Sequence, residues 1–559
     1  MREKYIDLME KSLSAYSYEH ILRYFGDVKE NGLTEHGFPR LAANIGILIA
    51  HGKRMDLFDI FMEMMEFCCK TMPHVKAAND FSIREIISCL WEVEKSEILP
   101  KETTERWREY LCGVEVEKTY DCFVKTTEDN TRNWVLFTAL SEFFRQKAEL
   151  CENTEFIELQ LEQQLRWFDE NGMYRDNIEH ERQQPIMYDL VPRGLFSLLL
   201  DQGYRGKHYE TIDAILKKAG LLTLDMQSPN GEMGFGGRSN QFVHNEAWMT
   251  AILEYEAKRY MREGNTALAS RFKSAVAKAL AVTELWLNKE PIRHIKNRYP
   301  TETKYGCEFY AYFDKYMITV ASNLWAAYLI CDDSIPLGEP VDYAPCVMQT
   351  SDYFDKLFVK AGGYGLEFDL FADTSYDANG LGRLVRDGAP SAICMSCPCP
   401  KEPSYTVDIP NPVALSLCSA IRTDEGFKLG ADSSTKYEVV QCNADDYSAS
   451  TTLNCLFDNN VSVREHYTVD QSGVSVTLEG NGEIGFVMPA FCFDGELEPQ
   501  IDMQNHVLTI RYENWKCVYT TDGDISEAGG CAANRNGHYR IFVATAQNVV
   551  NTKIEIAEN

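Results

Sequence analysis

The sequence predicts two classes of structure in succession, an α/α toroid over residues 1–335 and an antiparallel β-sandwich over residues 336–559. Three observations predict this order: helical spacing of apolar residues in the first part, strand-like alternation in the second, and a proline-rich segment between them. At about 100–200 residues per domain, 559 residues leave room for two to four domains, each with a sizeable core.

The helical part shows apolar residues that recur at three- and four-residue intervals, which is typical of amphipathic helices. Clear examples are NWVLFTALSEFFRQKAEL, YDLVPRGLFSLLLDQGY, FVHNEAWMTAILEYEAKRYM and YMITVASNLWAAYLI. Helix pairs of similar length can close into a ring. Such a ring carries its functional site on the loops at one end, so we look for chemistry in polar loops between the helices.

The second part alternates apolar and polar residues in short runs separated by turn residues, as antiparallel sandwiches require. The runs are KLFVKAGGYGLEFDLFA, TKYEVVQCNA, VSVREHYTV, GVSVTLEG, HVLTIRYENWKCVYTT, HYRIFVATA and TKIEIAEN. The segment DDSIPLGEPVDYAP (332–345) fits a linker. We expect the sandwich to pack on the toroid and lend it a loop. Residues 379–383 are a candidate for that loop, although an ordinary β-turn is the favoured interpretation.

The charge balance excludes two classes of partner. Fifty-five basic residues against eighty-four acidic ones give a net charge of −29, whereas nucleic acid and anionic membranes require a positive surface. No apolar run reaches the ~20 residues of a membrane span, and the N-terminus lacks the pattern of a signal peptide. We therefore expect a cytoplasmic protein that contacts neither nucleic acid nor membrane.

The eighteen cysteines are scattered, and many lie in apolar runs, as buried free thiols do in a reducing compartment. Only Cys394, Cys397 and Cys399 form a tight cluster. A zinc site there would need a fourth ligand at matching spacing, and no nearby CxxC or HxxxH supplies one. A thiol-rich loop is favoured over a metal site, so no metal is predicted.

Three loop-like segments are dense in glycine, asparagine, arginine, histidine and aromatic residues: 169–194, 228–246 and 297–310. In the second segment, Arg238 could bind a carboxylate through two hydrogen bonds, and Asn240 and His244 share one helix face. A structural turn that caps a helix is the alternative, and it is favoured for the glycines alone. For Arg238, Asn240, His244 and Glu246 together, a functional role is favoured.

In the third segment, Arg298, Tyr299 and Tyr305 could line a sugar site, with a packed aromatic loop as an equally open alternative. Two smaller candidates lie upstream, residues 35–40 and the pair Asn133–Trp134. For Asp176, Asp189, Glu246 and Glu308 the alternative is a solvated or capping carboxylate. His36 and His180 are interpreted as structural, and the glycine motifs of nucleotide-binding loops are absent.

A helical toroid followed by an antiparallel sandwich resembles the heparinase-, alginate- and chondroitin-type polysaccharide lyases. Some toroid glycoside hydrolases that act on glucuronides are similar. In those lyases an asparagine precedes a catalytic tyrosine by roughly fifty-five residues, the interval between Asn133 and Tyr188 here. The resemblance implies that Asn133 neutralises a substrate carboxylate and Tyr188 protonates the leaving oxygen. Trp134 replaces the family histidine, so His244 would take its place or Tyr188 would act as both base and acid.

We therefore expect an enzyme that cleaves short uronate-bearing oligosaccharides by β-elimination, which needs a stabilised enolate-like anion, a base and an acid. Groups that could face the carboxylate are Asn133, Arg193, Arg238 and Asn240, and the proton-transfer groups are Tyr188 and His244. Further substrate contacts would come from Trp134, Arg298, Tyr299, Tyr305 and Glu308.

Two other functions stay open. The first is hydrolysis of a terminal glucuronide, with Asp176 or Asp189 paired with Glu246. The second is non-catalytic carbohydrate binding. The expected partner is an acidic oligosaccharide, a homo-oligomer is possible, and no organic cofactor is implied because neither chemistry uses one.

Overall fold

The computed structural model describes residues 1–338, 344–457 and 461–559. The predicted domain boundary at 335/336 falls between the last helix, which ends at Ile330, and the first strand, which begins at Cys346. The predicted linker over 332–345 includes residues 339–343, which lie outside the described residues.

The described residues contain fourteen α-helices before the first strand. They are α1 (Arg2–Leu13), α2 (Tyr18–Asn31), α3 (Gly37–Ala50), α4 (Phe58–Thr71), α5 (Ile83–Lys95), α6 (Lys101–Cys112), α7 (Val116–Thr119), α8 (Trp134–Lys147), α9 (Thr154–Leu165), α10 (Ile186–Asp201), α11 (Tyr209–Met226), α12 (Val243–Arg262), α13 (Thr266–Leu287) and α14 (Phe313–Ile330). Short 3-10 turns lie at Met55–Leu57, Met72–His74, Thr301–Thr303 and Ser391–Ile393.

Six of these helices form a closed inner ring. Helices α3, α5, α8, α10, α12 and α14 each pack against the next, and α14 returns to α3, while α4, α6, α9, α11 and α13 lie outside. The sequence explains the two layers. Helix α3 is apolar almost throughout and is buried on every side, whereas α6 buries only a stripe of Thr103, Thr104, Trp107 and Leu111. At Gly46 of α3 an added Cβ would lie 2.3 Å from the Phe61 ring, so only glycine permits this approach.

The described residues of the second part contain fifteen strands. They are β1 (Cys346–Gln349), β2 (Lys356–Ala361), β3 (Tyr364–Asp369), β4 (Gly380–Arg386), β5 (Ser419–Thr423), β6 (Gly426–Leu429), β7 (Lys436–Ala444), β8 (Ala449–Leu456), β9 (Ser462–Asp470), β10 (Gly473–Phe493), β11 (Gln500–Gln504), β12 (Val507–Tyr512), β13 (Trp515–Thr521), β14 (Asp524–Asn534) and β15 (Gly537–Glu558).

These strands form two antiparallel sheets that share one core. The first has the order β1-β2-β3-β4, and the second has β11-β12-β13-β15-β10-β9-β8-β7 with β14, β5 and β6 at its side. In β9 the buried residues alternate with exposed ones, and the Tyr467 ring packs 5.0 Å from Phe368 of β3. The predicted fold class, a toroid followed by an antiparallel sandwich, is confirmed.

The sandwich packs on the toroid through buried polar contacts. Arg535 forms an ion pair with Glu308, Arg383 donates to the Met233 carbonyl at 2.7 Å, and Asn536 Nδ2 donates to the Lys296 carbonyl at 2.6 Å. The clustered cysteines Cys394, Cys397 and Cys399 are buried in the sandwich. Within the described ranges, no group of three or more histidine, cysteine or acidic side chains is placed to hold a metal. In the same ranges, no helix combines the length and apolarity that crossing a membrane requires.

Candidate active site

A cleft of two adjoining cavities lies at one end of the ring. The outer cavity, of about 810 Å³, is bounded by toroid residues such as Asp176 and by Asp373, Ser375, Tyr376 and Ser404 of the sandwich. The inner cavity, of about 500 Å³, lies within the ring. Four residues line both cavities and mark the place where they meet, which we call the neck: Asn133, Trp134, Arg238 and Tyr310.

All six inner helices begin at this end, because each contributes residues of its first turn to the inner cavity. These residues are Arg40 of α3, Arg84 of α5, Trp134 of α8, Tyr188 of α10, His244 of α12 and Lys315 of α14. A helix N-terminus carries roughly half a positive charge, so six of them direct positive potential into the cavity.

Charged side chains add to this potential. Among the described residues, five basic side chains line the cleft and three acidic ones do. The basic ones are Arg40, Arg84, Arg132, Arg238 and Lys315, and the acidic ones are Asp176, Glu179 and Asp373. The balance is opposite to the net charge of −29 for the whole chain. The cleft is therefore suited to an anionic ligand, because local charges outweigh distant screened ones.

Tyr188 lies among charged and polar neighbours at the cleft. The Arg238 guanidinium lies 4.1 Å from the centre of the Tyr188 ring. The Tyr188 hydroxyl lies 3.1 Å from Ser239 Oγ, which in turn lies 3.0 Å from the Tyr310 hydroxyl. Burial raises the pKa of Tyr188, and Arg238 and the Ser239 hydroxyl oppose that shift in part. The phenol is therefore protonated at neutral pH and can act as an acid.

Ser239 owes its position to a buried ion pair. Its backbone has a left-handed φ of 59°, an uncommon conformation for a residue with a Cβ, and its N–H donates to Glu308 Oε1 at 2.6 Å. Arg535 of the sandwich holds the same carboxylate through bonds of 2.9 and 2.6 Å. Glu308, predicted to contact substrate, lines neither cavity and instead supports the loop that carries Ser239.

His244 lines the inner cavity as a neutral imidazole. Burial and then the neighbouring His294 lower the pKa of His244 to about 3. Among the described residues its Nδ1 has no hydrogen-bond partner, and its ring packs 4.8 Å from that of Tyr316. The neutral imidazole has a lone pair that can accept a proton, and the burial that keeps it neutral also makes it a weaker base than a free imidazole.

Asp176 and Asn133 lie together at the neck. The Asn133 amide and the Arg238 guanidinium each donate to one oxygen of the Asp176 carboxylate. Burial raises the pKa of Asp176, while Arg238 and Asn133 oppose that shift. The structure thus brings together Asn133, Asp176, Tyr188, Arg238 and His244, with Trp134 beside them, as sequence reasoning proposed.

Three other predicted residues lie outside the cleft. Asp189 and Arg193 are fully buried and pair with each other, and Asp189 also accepts from Tyr174 N at 2.7 Å. Glu246 accepts from Lys296 Nζ at 2.6 Å and from Met233 N at 3.0 Å. None of the three lines either cavity, so the carboxylates proposed for hydrolysis do not face each other across the cleft.

The other residues that were predicted to contact substrate pack within the protein instead. Asn240 donates to the Gly234 carbonyl at 3.3 Å, and Arg298 pairs with Asp494 at 3.0 Å. Tyr299 and Tyr305 stack with ring centres 3.6 Å apart. None of these lines the cleft, and the segment 297–305 is the packed aromatic loop that was the open alternative.

The sandwich does contribute residues to the cleft, but from a different segment than 379–383. Asp373, Ser375 and Tyr376 line the outer cavity, whereas Asn379 bonds the carbonyls of Asp432 and Thr435, and strand β4 begins at Gly380. The favoured β-turn is also absent from 380–383, because those residues are extended.

Sequence reasoning missed several residues of the inner cavity. Arg84, Lys315 and Tyr316 were not proposed, Arg40 was considered only as part of the segment 35–40, and His36, which lines the cavity, was interpreted as structural. A signal was present for Arg84, because the adjacent charges of Arg84 and Glu85 open a helix whose following residues are mostly apolar. A charged side chain that is buried at such a position is usually paired with another charged group or binds a ligand.

No family model matches this chain, and no curated protein matches it. Among solved structures, it is similar to a heparan sulfate lyase mutant from Pedobacter heparinus, at 9% identity and a TM-score of 0.46 over 92% of this chain and 76% of that one. It is also similar to heparinase III, at 10% identity and a TM-score of 0.38 over 85% and 77%. A third is a glycosyl hydrolase family 88 protein from Bacteroides vulgatus, at 12% identity and a TM-score of 0.37 over 59% and 99%. These neighbours belong to the two groups that the sequence resembles.

Proposed function

We propose that this chain is a carbohydrate-active enzyme that cleaves uronate-bearing oligosaccharides by β-elimination. One observation carries the proposal: Asn133, Tyr188, Arg238 and His244 line one continuous cleft. The protonation states fit the roles, because the acid Tyr188 is protonated and the base His244 is neutral.

The reaction begins with a uronate bound at the neck. Its carboxylate faces Arg238 and the Asn133 amide, which stabilise the negative charge that develops when the C5 proton leaves. The positive potential of the helix N-termini acts in the same direction. This stabilisation lowers the pKa of the C5 proton, which a weakly basic imidazole such as His244 requires in order to remove it.

Proton transfer then completes the elimination. His244 accepts the C5 proton, the electron pair forms the C4–C5 double bond, and the C4–oxygen bond breaks. Tyr188 donates its proton to the departing oxygen, which leaves as a hydroxyl group. The products are a 4,5-unsaturated uronate and a shortened saccharide, and the resulting imidazolium and phenolate exchange protons with solvent to restore the enzyme.

Hydrolysis is the second candidate, because Asp176 and Asp373 both line the outer cavity, from the toroid and the sandwich respectively. Burial raises the pKa of both carboxyl groups, as a general acid requires. In that case one carboxyl would protonate the glycosidic oxygen and the other would act as base or nucleophile.

The two candidates differ in their products. The protein is incubated with glucuronate- and galacturonate-containing oligosaccharides, and both ultraviolet absorbance and new reducing ends are measured. Absorbance from the conjugated double bond is the result expected for elimination. New reducing ends without absorbance would show that the reaction is hydrolysis and not elimination. If none of these substrates gives either signal, both candidate reactions are contradicted.

Replacing Tyr188 by phenylalanine tests the assigned acid. Because general acid catalysis contributes about 10²–10⁴-fold, Tyr188→Phe is expected to lower kcat at least 100-fold. It should change substrate affinity by less than about 1 kcal/mol, since only a transition-state interaction is lost. Tyr305→Phe, a buried tyrosine outside the cleft, is the matched control and keeps turnover. Near-normal kcat in Tyr188→Phe would remove this residue from the mechanism.

A further inference from the structure

A separate cavity of about 480 Å³ lies between the outer helix α13 and the sandwich, and we call it the interface cavity. Val282, Leu285 and Trp286 of α13 line one side of it, and Tyr512 and Trp515 of the sandwich line another. Among the described residues, none that lines the interface cavity also lines the cleft. Pockets that hold a small ligand typically measure about 300–1,000 Å³, so this cavity is large enough for one.

The start of the segment 228–246 supplies polar groups to the interface cavity. Its first residues form a turn in which Gly231 N donates to the Ser228 carbonyl at 2.8 Å. Gly231 has a φ of 93°, and an added Cβ there would lie 2.6 Å from the Lys278 carbonyl oxygen of α13. Glycine therefore lets the turn lie against the helix, with Asn230 and Glu232 lining the cavity on either side of it.

Two acceptor atoms of this turn are left without a donor. Ser391 Oγ of the sandwich donates to Glu232 Oε1 at 2.6 Å and accepts from Asn230 Nδ2 at 2.7 Å, which fixes both side chains. Among the described residues, the buried atoms Glu232 Oε2 and Asn230 Oδ1 have no hydrogen-bond partner, and Glu232 is only 7% exposed. Because an unpaired buried acceptor is costly, these two oxygens suit a ligand that donates hydrogen bonds.

The Glu232 carboxylate is ionised, yet its charge is already compensated. Burial favours the neutral acid, but Lys296 and Arg383 overcome that effect and lower the pKa of Glu232. Lys296 Nζ and Arg383 Nη2 lie 3.6 and 3.7 Å from Glu232 Oε2, close enough to compensate its charge and too far for a hydrogen bond. A cationic ligand would meet these two positive groups, so the free oxygen favours an uncharged donor such as a hydroxyl group.

Other charged residues of the interface cavity also form pairs. Arg298 lies 3.0 Å from Asp494, and Lys278 lies 3.0 Å from Asp387. Among the described residues, four basic and four acidic side chains line this cavity, namely Lys278, Lys289, Lys296 and Arg298 with Glu232, Asp387, Asp494 and Glu513. The charges therefore balance, in contrast to the cleft, and the interface cavity is suited to a neutral ligand.

Aromatic rings give the interface cavity its apolar surface. Trp286 lies in the last turn of α13 and Trp515 begins β13, and both are half-buried, so part of each indole stays accessible. Tyr512 and Phe491 line the cavity beside them. Indole faces next to unpaired acceptors suit a sugar ring, because its C–H groups pack on the indole while its hydroxyl groups donate hydrogen bonds.

We propose that the interface cavity binds a neutral sugar unit, with its ring against Trp286 and Trp515 and its hydroxyl groups donating to Glu232 and Asn230. This site goes beyond the proposed reaction, because it lies outside the cleft and includes none of the proposed reacting groups. A free monosaccharide and a neutral unit of a longer saccharide share this chemistry, and the choice of sugars below distinguishes them.

Direct binding to the full chain tests the site without requiring turnover. Saturation-transfer difference NMR and isothermal titration calorimetry measure the binding of glucose, N-acetylglucosamine, maltose and protonated glucosamine. We expect at least one neutral sugar to bind, and to bind more tightly than the cationic glucosamine. Trp286→Ala should weaken this binding at least about fivefold, because it removes an aromatic face. Asn230→Ala should weaken it about two- to tenfold, because it removes one hydrogen-bond acceptor.

Trp134→Ala at the neck of the cleft is the matched control. It should leave the binding of the neutral sugar within about twofold, because it is distant from the interface cavity and shares no partner with it. Circular dichroism verifies that each variant is folded, and Asn230→Ala decides the test if Trp286→Ala does not fold.

The outcomes separate the alternatives. Binding of maltose but not of glucose would identify a unit of a longer saccharide, whereas equal binding of the two would identify a single sugar. The proposal is overturned if the wild type binds no neutral sugar, or if Trp134→Ala weakens binding as much as Trp286→Ala and Asn230→Ala do. Tighter binding of glucosamine than of every neutral sugar would overturn the neutral class. Since none of these measurements depends on cleavage, failure of this site leaves the proposed reaction standing, and failure of the reaction leaves this site standing.

Discussion

At the scale of single residues, burial shifts the pKa values of Tyr188 and His244 in opposite directions. Burial disfavours the charged form of any side chain, so it keeps a phenol protonated and an imidazole neutral. Tyr188 and His244 both show this shift, and both lie in the first turn of an inner helix. The proposed acid is thus protonated and the proposed base neutral at neutral pH, as the proposed elimination requires.

The low pKa of His244 has a consequence for the pH dependence of activity. Since the base is active when neutral, activity is lost as pH falls through its pKa of about 3, not through the ordinary imidazole value near 6.5. We expect kcat/KM to show no decline between about pH 7 and 5 from this group. The profile is measured with circular dichroism at each pH to verify folding. A decline centred near pH 6.5 in the folded protein would contradict the role of His244.

At the scale of elements, the loop between α11 and α12 depends on the sandwich for its shape. Gly236, Gly237, Ser239 and Gln241 all have positive φ values, and Gly237 N donates to Asp377 of the sandwich at 2.6 Å. Ser239 is held by Glu308, which Arg535 holds in turn. The loop that carries Arg238 into the neck is therefore fixed from both domains.

Breaking the ion pair beneath this loop should cost considerable stability. Glu308→Gln leaves the buried Arg535 guanidinium without a counter-charge, which typically lowers the free energy of unfolding by about 3–5 kcal/mol. The control is Glu527→Gln in the pair with Arg540, whose side chains are 45% and 43% exposed and which should cost less than about 1 kcal/mol. Urea unfolding measures both. A similar small loss in the two variants would show that Glu308 does not support the loop.

Much of the fold could be predicted from the sequence because the patterns are local. The alternation through β9 and the helical spacing in α8, α10, α12 and α14 follow directly from which faces are buried. The starts of the inner helices carry Asn133, Tyr188 and His244. Sequence reasoning reached His244 by inspecting a polar loop-like segment, and Asn133 and Tyr188 chiefly through the 55-residue interval shared with the lyases.

The positions of the other predicted site residues are set by contacts with residues far away in the sequence. Arg298 pairs with Asp494, Glu496 and Glu513, about two hundred residues away, and no local pattern contains that information. Glu308 likewise meets Arg535 only through the packing of the domains. For Asp189 and Arg193 a signal existed, since a carboxylate and an arginine four residues apart on a helix readily pair with each other.

At the scale of the whole molecule, charge is distributed unevenly. A chain with a net charge of −29 places five basic residues and the N-termini of six inner helices around one cleft. The acidic residues lie mostly elsewhere, while the basic residues and helix N-termini give the cleft a local positive potential. The cleft keeps its shape only while the two domains stay packed together, because residues of both domains line the outer cavity.

The buried contacts between the domains predict that they unfold as one unit. Arg535 with Glu308, Arg383 with Met233, and Asn536 with Lys296 all join buried groups across the interface. Separating the domains would expose these pairs and leave Arg535 uncompensated, so we expect the two domains to unfold together. Differential scanning calorimetry of the full chain should show one transition, whose calorimetric and van't Hoff enthalpies agree.

Arg535→Gln should lower the Tm of this transition, whereas Arg540→Gln on the exposed face should leave the Tm nearly unchanged. Two resolved transitions in the wild-type chain would show that the domains fold independently and that the cleft is assembled only by their docking.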